Sequence, residues 1–384
     1  MKLGHATLLK LLITVLLMPT TINSSWCCDR VSVADILSSH PEISYKICTP
    51  AKYIEYEKLP VTDDHHLHPY KGIFQETFIL HIPRGQVYGV DGHILVGDSL
   101  INDIVWRNCP LPRSELEDAR KNKPLKKINR MAIIAQSGHS FYYHWIVEIL
   151  GRLALLEQAG EEYDYLYVPT YRPFMKEALL LWGVNPEKII DATDDVLYEV
   201  DEIIVPSIVS SISVYGNARL AHYAPKEIVD YVKSKLIDSF ERQNNNYSFC
   251  KRVFISRADA KFRKILNEEE VFEKFADHGF ERYILSNLSL VEQIALFKNA
   301  EIVVGTLGSG LTNILFCNKD ALVVDIFQAR RDCTIYYLSQ VLGLKYKCVK
   351  TMEFIDQNDG QFDMEMSLDI VEKLLEELFG NNEL

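Results

Sequence analysis

The chain has 384 residues and a formal net charge of −12, and 48% of its residues are hydrophobic. The negative charge argues against a nucleic-acid partner, because neutralising phosphates requires a basic face. The hydrophobic content can fill proper cores, and the length accommodates two domains of roughly 100–200 residues each. The eight cysteines are scattered and contain no C-x-x-C pair. They predict neither a disulfide scaffold nor a structural zinc site, although one or two bridges are compatible with secretion.

The chain begins with a segment that has the layout of a secretory signal peptide. Lys2 precedes an apolar run from Leu8 to Met18, and Pro19 and small polar residues follow. The run is 11 residues long, whereas a membrane-spanning helix needs ~20. We predict that residues 1–25 are a signal peptide that directs the protein to the secretory lumen, the periplasm or the exterior. A retained N-terminal anchor is the alternative, and membrane contact is expected only in that case.

Residues 26–130 show no regular alternation of strands and helices. Short strand-like pieces at Thr77–Ile82, Gln86–Val90 and His93–Val96 are separated by proline and glycine. The stretch from Arg120 to Arg130 is basic and contains a proline, which is typical of a linker or a surface loop. We therefore predict a small mixed N-terminal region.

From Met131 the sequence alternates between strand-like and helix-like segments. The predicted strands are Met131–Ala135, Tyr165–Val168, Lys188–Ile190 and Ile203–Val205, and the predicted helices are Tyr142–Ala159, Phe174–Trp182 and Pro225–Arg242. This alternation predicts a Rossmann-like parallel sheet with covering helices over residues 131–242. The polar run from Gln243 to Asn246 is the best internal boundary.

A second alternation follows over residues 247–384. The predicted strands are Arg252–Ser256, Arg282–Leu285, Glu301–Val304, Leu322–Phe327 and Lys345–Val349, and the predicted helices are Glu268–His278, Ser289–Asn299, Leu311–Phe316, Ile335–Leu342 and Leu368–Phe379. Asn267 with Glu270, and Ser289 with Glu292, have the spacing of capping boxes. Ligands of such sheets lie beyond the carboxyl ends of the strands, so we expect an active site in a cleft between the two domains.

His144 and Glu148 follow the first predicted strand of the first domain. They are four positions apart, which places both side chains on one face of a helix. A histidine oriented by a carboxylate is a competent general base near neutral pH. The structural alternative is that Glu148 and Arg152, which have the same spacing, form a solvated ion pair.

Arg257 and Arg263 follow the strand that ends at Ser256. Guanidinium groups bind phosphate oxygens in a bidentate manner, so two arginines at the carboxyl end of a strand suit a diphosphate clamp. The alternative is a basic surface loop whose positive charge is offset by the three glutamates that begin at Glu268.

A glycine-rich turn, Gly305–Gly310, connects the strand Glu301–Val304 to the helical segment that begins at Leu311. Such a turn brings backbone N–H groups close to an anionic ligand at a helix N-terminus. The alternative is a tight turn with no ligand. The turn is also similar to a serine-hydrolase elbow, but Leu307 replaces the first glycine of that motif.

No metal site is predicted. The adjacent histidines within Asp63–His68 lack the one-face spacing of a preformed site. The chain also has no Asp-x-Asp triplet, a common motif for binding a metal–nucleotide complex.

Together these segments resemble glycosyltransferase family 61, which includes bacterial capsular-polysaccharide-type transferases, plant xylan-modifying enzymes and animal protein O-GlcNAc transferases of the secretory pathway. The resemblance covers residues 130–350. It rests on His144-Trp145…Glu148, on Ile255-Ser256-Arg257…Arg263…Asn267-Glu268, on Glu292-Gln293-Ile294 with Ala300, and on Gly308-Ser309-Gly310-Leu311-Thr312-Asn313. The first of these motifs resembles the bacterial type.

The resemblance implies a GT-B fold, an α/β architecture in which two Rossmann-like domains face each other across a cleft. It also implies an inverting transfer, without a metal or other cofactor, from a nucleotide-sugar donor to a hydroxyl of a glycan or glycoprotein acceptor. Either His144 or Glu148 is then the base. The donor-binding residues that we predict are Ser256, Arg257, Arg263, Asn267, Glu268, Gln293, Gly305, Thr306, Gly308, Ser309, Gly310, Leu311, Thr312 and Asn313.

The chain departs from the family pattern at two positions. Family members often have histidine where this chain has Leu307, and proline where it has Thr306. A contact of that histidine with phosphate or sugar is lost here, which implies an altered donor or a weakened enzyme. The second hypothesis is therefore a catalytically inactive homologue that binds a nucleotide or a glycan.

Overall fold

The computed structural model describes residues 29–55, 71–104, 111–215, 218–243, 246–327, 333–351 and 363–380. The predicted signal peptide and the histidines of Asp63–His68 lie outside these ranges. We call residues 29–243 the N-terminal half and residues 246–380 the C-terminal half.

The strands and helices alternate along most of the chain. In chain order the strands are β1 (Asp29–Val31), β2 (Ser44–Thr49), β3 (Lys52–Glu55), β4 (Lys71–Phe74), β5 (Thr77–Tyr88), β6 (His93–Val96), β7 (Ser99–Ile101), β8 (Leu125–Ile133), β9 (Tyr165–Val168), β10 (Ile189–Asp191), β11 (Leu197–Pro206), β12 (Ser211–Tyr215), β13 (Ala218–Tyr223), β14 (Arg252–Ser256), β15 (Glu281–Ile284), β16 (Ile302–Thr306), β17 (Leu322–Phe327) and β18 (Lys345–Lys350). The α-helices are α1 (Val33–Ser39), α2 (Arg113–Asn122), α3 (Leu150–Gln158), α4 (Pro173–Trp182), α5 (Lys226–Arg242), α6 (Glu268–Ala276), α7 (Leu290–Asn299), α8 (Thr334–Leu342) and α9 (Leu368–Phe379).

Other helical turns supplement these elements. His144–Ile149 forms a π-helix directly before α3, and 3₁₀ helices cover Pro186–Lys188, Leu285–Asn287 and Ser309–Phe316. Within the described ranges, no helix combines the length and the apolar character that crossing a bilayer requires.

The N-terminal half contains a mixed sheet of nine strands in the order β1-β7-β6-β5-β11-β8-β9-β10, with β2 also paired to β5. The strands β11, β8, β9 and β10 run parallel to one another, and β5 joins β11 in antiparallel orientation. The strands of the predicted N-terminal region thus extend the sheet of the first α/β unit. Two hairpins, β3–β4 and β12–β13, lie outside this sheet.

The C-terminal half contains a five-stranded sheet in the order β15-β14-β16-β17-β18, and all neighbouring strands are parallel. The α/β class with parallel sheets is therefore confirmed. The domain boundaries at residues 130, 242 and 247 stay predictions.

Alternation along the strands distributes the apolar residues between a central cluster and clusters on the opposite faces of the two sheets. In β8, Ala132 faces a central cluster, whereas Met131 and Ile133 face the opposite side of the sheet. In β16, Val303 faces the central cluster and Val304 the opposite side. Such alternation buries both faces of each sheet. The central cluster contains residues of both halves and therefore joins them.

The stretch Arg120–Arg130 was predicted to be a linker or surface loop, and this prediction is wrong. Its residues end α2 and form most of β8, with only a short connection at Pro124. Arg120 and Lys121 in the last turn of α2 are exposed, while Leu116 and Ala119 pack inward. The basic character therefore reflects the solvent face of an amphipathic helix.

Candidate functional site

The segment after β8 crosses the carboxyl end of the first sheet and leads into the π-helix. Gly138 has a φ of 86°, and the Phe141 N–H donates to the Gly138 carbonyl oxygen at 2.9 Å. The π-helix then places His144 and Glu148 in contact across one turn. Single π-turns inside α-helices are rare and occur frequently at functional sites.

Glu148 is the centre of a buried hydrogen-bond network. Its Oε2 lies 2.9 Å from His144 Nδ1 and accepts a hydrogen bond from Gln136 Nε2 at 2.8 Å. Its Oε1 accepts from Ser210 Oγ at 2.5 Å. The side chain of Glu148 is 0% exposed, whereas His144 is 8% exposed. Glu148 is thus positioned to orient His144, and a proton on Nδ1 makes Nε2 the basic nitrogen.

Arg152 does not form a solvated ion pair with Glu148, because both side chains are buried. Its guanidinium donates to the carbonyl oxygen of Ala135 at 2.8 Å and to that of Pro206 at 2.8 and 3.2 Å. Burial lowers the pKa of Arg152 to about 9, since desolvation disfavours the charged form. Arg152 therefore links the end of β11 to the segment that follows β8.

A Gln136→Met variant should destabilise the fold by about 1–3 kcal/mol, because it leaves a buried carboxylate without one of its donors. Methionine keeps most of the volume of glutamine, so the loss reports the hydrogen bond rather than a cavity. Urea denaturation measures the difference. As a control, Asn129→Ala removes an exposed amide–carboxylate bond, from Asn129 Nδ2 to Asp164 Oδ2 at 3.0 Å, and should change stability by less than ~0.5 kcal/mol. Equal losses in both variants would contradict the role of Gln136.

The glycine-rich turn lies against Arg257. A Cβ atom on Gly308 would stand 1.9 Å from Nη1 and 2.7 Å from Cζ of Arg257. The φ of Gly308 is 177°, which any residue adopts, so the turn requires glycine here for the close approach of the guanidinium. The structure thus brings together a cation and the turn that were predicted to bind the same diphosphate.

The loop that carries Arg257 and Arg263 is hydrogen-bonded to the end of β16. Thr306 Oγ1 donates to the carbonyl oxygen of Arg263 at 3.2 Å, and Arg263 has a φ of 64°. Arg257 Nη2 donates to the carbonyl oxygen of Phe262 at 3.0 Å. Among the described residues, none accepts from the buried Nε of Arg257. Burial lowers the pKa of Arg257, while Asp259 and Asp363 oppose that shift.

Asn313 connects the C-terminal half to the segment that carries His144. Its Oδ1 accepts from Tyr142 Oη at 2.6 Å, and its Nδ2 donates to Gln293 Oε1 at 2.8 Å and to the Gly310 carbonyl oxygen at 3.1 Å. Gln293 in turn donates to the carbonyl oxygens of Leu285 and Leu288. The histidine segment and the glycine-rich turn are therefore adjacent.

Asn267 and Glu268, at the start of α6, make side-chain hydrogen bonds that position the loop carrying Arg257 and Arg263. Ser256 Oγ donates to Glu268 Oε1 at 2.6 Å and accepts from the Ala258 N–H at 3.1 Å. The predicted cap by Asn267 is wrong, because its side chain makes no capping bond to α6. It instead exchanges two 2.9 Å hydrogen bonds with the backbone of Met366. The capping box of Ser289 and Glu292 is confirmed.

Leu307, the departure from the family pattern, is buried in the central apolar cluster. Its N–H donates to the carbonyl oxygen of Ile326 at 3.0 Å, which continues the pairing of β16 with β17. Its side chain thus contributes to packing between the halves. The remaining predicted donor residues, Gly305, Ser309, Leu311 and Thr312, lie in β16 or the following 3₁₀ helix.

The family model described as Glycosyltransferase 61 matches residues 142–324, which include every predicted catalytic and donor-binding residue. Residues 142–324 are therefore similar to glycosyltransferase family 61. The resemblance predicted from the sequence is thereby confirmed. A curated relative, the EGF domain-specific O-linked N-acetylglucosamine transferase of Drosophila melanogaster, is 23% identical over 149 residues. That alignment covers 34% of this chain, and the chain spans 28% of the length of the relative.

Three residues of this candidate site were not predicted from the sequence. Gln136 and Ser210 donate hydrogen bonds to Glu148, and Tyr142 donates one to Asn313. Gln136 follows a predicted strand directly, so its place at the carboxyl end of the sheet was a usable signal. Ser210 lies 62 positions after Glu148, and it follows β11, which pairs with β8.

Proposed function

We propose that this protein is an inverting glycosyltransferase that moves a sugar from a nucleotide-sugar donor to a hydroxyl of a glycan or glycoprotein acceptor. One observation carries the proposal. The buried His144–Glu148 pair is connected through Tyr142 and Asn313 to a glycine-rich turn that packs against Arg257. A general base and an anion-binding loop are the two devices that a direct displacement at a sugar carbon requires.

In the proposed reaction, His144 Nε2 takes the proton of the acceptor hydroxyl as the oxygen attacks the anomeric carbon of the donor. The bond from that carbon to the diphosphate oxygen breaks, and the diphosphate leaves from the opposite face with its negative charge. Glu148 stabilises the imidazolium that forms. The guanidinium of Arg257, with the backbone N–H groups of Gly308–Asn313, would bind the leaving diphosphate. This set of groups supports a reaction that needs no metal ion.

We also propose that the two halves are the facing domains of a GT-B fold. The donor would bind mainly to the C-terminal half, where Arg257, Arg263 and the glycine-rich turn lie. The acceptor would approach the N-terminal half, where His144 lies. The signal-like segment 1–25 supports a place in a secretory lumen, the periplasm or the exterior.

A donor screen tests the proposal. The purified protein should release nucleoside diphosphate from at least one member of a panel of UDP- and GDP-sugars, and a chelator should change the rate little. Calorimetric titration of the same panel reports binding separately. Donor binding with no turnover, in the presence of candidate acceptors, would instead identify an inactive nucleotide-binding homologue.

A further inference from the structure

Two exposed aromatic rings lie at the carboxyl edge of the N-terminal sheet. Phe141 is 56% exposed and Tyr171 is 48% exposed. Phe141 follows β8 and Tyr171 follows β9, and these strands are parallel neighbours. Both rings therefore emerge at the edge where ligands of such sheets bind.

The chain holds both rings in a defined relation to His144. The ring of Phe141 packs edge-on against that of His144, with centroids 5.9 Å apart. The ring of Tyr171 packs edge-on against that of His139 at 5.5 Å, and Tyr171 Oη lies 3.0 Å from His139 Nδ1. His139 and Phe141 belong to the same tight turn after β8. A surface thus extends from Tyr171 through His139 and Phe141 to the proposed base.

Hydrogen-bonding groups border the rings. Asp91 Oδ1 lies 3.5 Å from His139 Nε2, and the guanidinium carbon of Arg172 lies over the Tyr171 ring, 5.9 Å from its centroid. Asp91 and Arg172 thus place charged hydrogen-bonding groups beside His139 and Tyr171, where they can reach the hydroxyls of a ligand that stacks on the exposed part of the rings.

A sugar ring has this combination of surfaces. Its C–H groups form an apolar face that suits the electron-rich face of an aromatic ring, and its hydroxyls project from the edge toward hydrogen-bonding partners. An apolar peptide side chain would instead require an apolar wall around it. The polar groups of His139, Asp91 and Arg172 beside the rings thus favour a carbohydrate.

We propose that Phe141 and Tyr171 form a stacking platform for sugar rings of a glycan acceptor, with His139 and Asp91 binding hydroxyls between them. The proposal rests on the proposed glycosyltransferase function and specifies its acceptor as a carbohydrate chain. The platform would deliver the terminal hydroxyl to His144, since Phe141 contacts the imidazole directly.

Calorimetric titration of the full-length protein with hexasaccharides of xylose, glucose, N-acetylglucosamine and mannose tests the platform. For the hexasaccharide that binds, Phe141→Ala and Tyr171→Ala should each weaken affinity about tenfold, because each removes one stacking face. Tyr171→Phe keeps the ring and should retain most of the affinity. Leu180→Ala, which removes an exposed apolar side chain of α4, should leave the affinity unchanged.

Titration with UDP separates the platform from the proposed function. If the variants bind UDP normally and hexasaccharide affinity does not fall in Phe141→Ala and Tyr171→Ala, the platform is wrong and the transferase function stands. Wild-type protein that binds none of the hexasaccharides, or binds only serine- and threonine-containing peptides, also overturns the platform. Wild-type protein that shows neither nucleotide binding nor sugar turnover overturns the proposed function itself.

Discussion

The His144→Ala variant should bind the nucleotide-sugar donor with wild-type affinity and transfer the sugar about 10²–10⁴-fold more slowly, which is the usual contribution of a positioned general base. The expectation follows from the contrast between the two members of the pair. Glu148 is fully buried and its two oxygens accept from Gln136 and Ser210 while Oε2 also contacts His144. His144 retains some exposure, so an acceptor can reach its imidazole. Steady-state turnover and calorimetric donor binding measure the two effects separately.

The surface pair of His40 and Glu42 provides a matched control. His40 Nδ1 lies 3.0 Å from Glu42 Oε1, close to the 2.9 Å of the buried pair, but both side chains are solvent-accessible. His40→Ala should therefore leave turnover unchanged. Added imidazole should restore part of the turnover of His144→Ala, because it can occupy the vacated space and accept the proton. If His144→Ala keeps most of its turnover while Glu148→Gln abolishes it, Glu148 is the base.

Sequence spacing predicts the contacts within one helix of the site better than the contacts between distant segments. The four-residue interval predicts the contact of His144 with Glu148, since a helical turn alone determines it. The burial of Glu148 depends on Ser210, which reaches the site through β11. The contact of Tyr142 with Asn313 depends on the packing of the two halves. Contacts between distant segments leave no periodic signal in a single sequence.

The wrong predictions about the fold have the same origin, since they too depend on contacts or exposure that local sequence does not determine. Asn267 has the correct position for a helix cap, but a distant segment at Met366 offers its side chain a backbone donor and acceptor. The basic stretch Arg120–Arg130 is polar because α2 and the start of β8 expose one side to solvent. At Leu307 the sequence identifies an unusual residue, and the structure shows that it packs in the central apolar cluster.

The Gly308→Ala variant should lose about 10–100-fold in affinity for UDP or GDP, close to the loss in Arg257→Ala. The added Cβ would occupy the position of the Arg257 guanidinium, 1.9 Å from Nη1, and would displace the cation from the turn. A charge-assisted hydrogen bond contributes roughly 1.5–3 kcal/mol, and each ~1.4 kcal/mol is a factor of ten in affinity. Isothermal titration with the nucleoside diphosphate measures the loss.

Stability should change little in Gly308→Ala, which distinguishes displacement of Arg257 from disruption of the fold. Alanine tolerates the extended φ of 177°, and the clash involves the far end of a flexible side chain. Lys261→Ala, which removes another cation from the same loop, should weaken nucleotide binding only slightly, because an exposed charge contributes little.

A double-mutant cycle decides whether Gly308 acts through Arg257. If it does, Arg257→Ala combined with Gly308→Ala should bind nucleotide no more weakly than Arg257→Ala alone, because the guanidinium that the methyl group displaces is already absent. Additive losses would mean that Gly308 contacts the diphosphate through its own backbone. Unchanged affinity in Gly308→Ala would place the diphosphate away from this turn, and the pairing of the arginine with the glycine would then be structural.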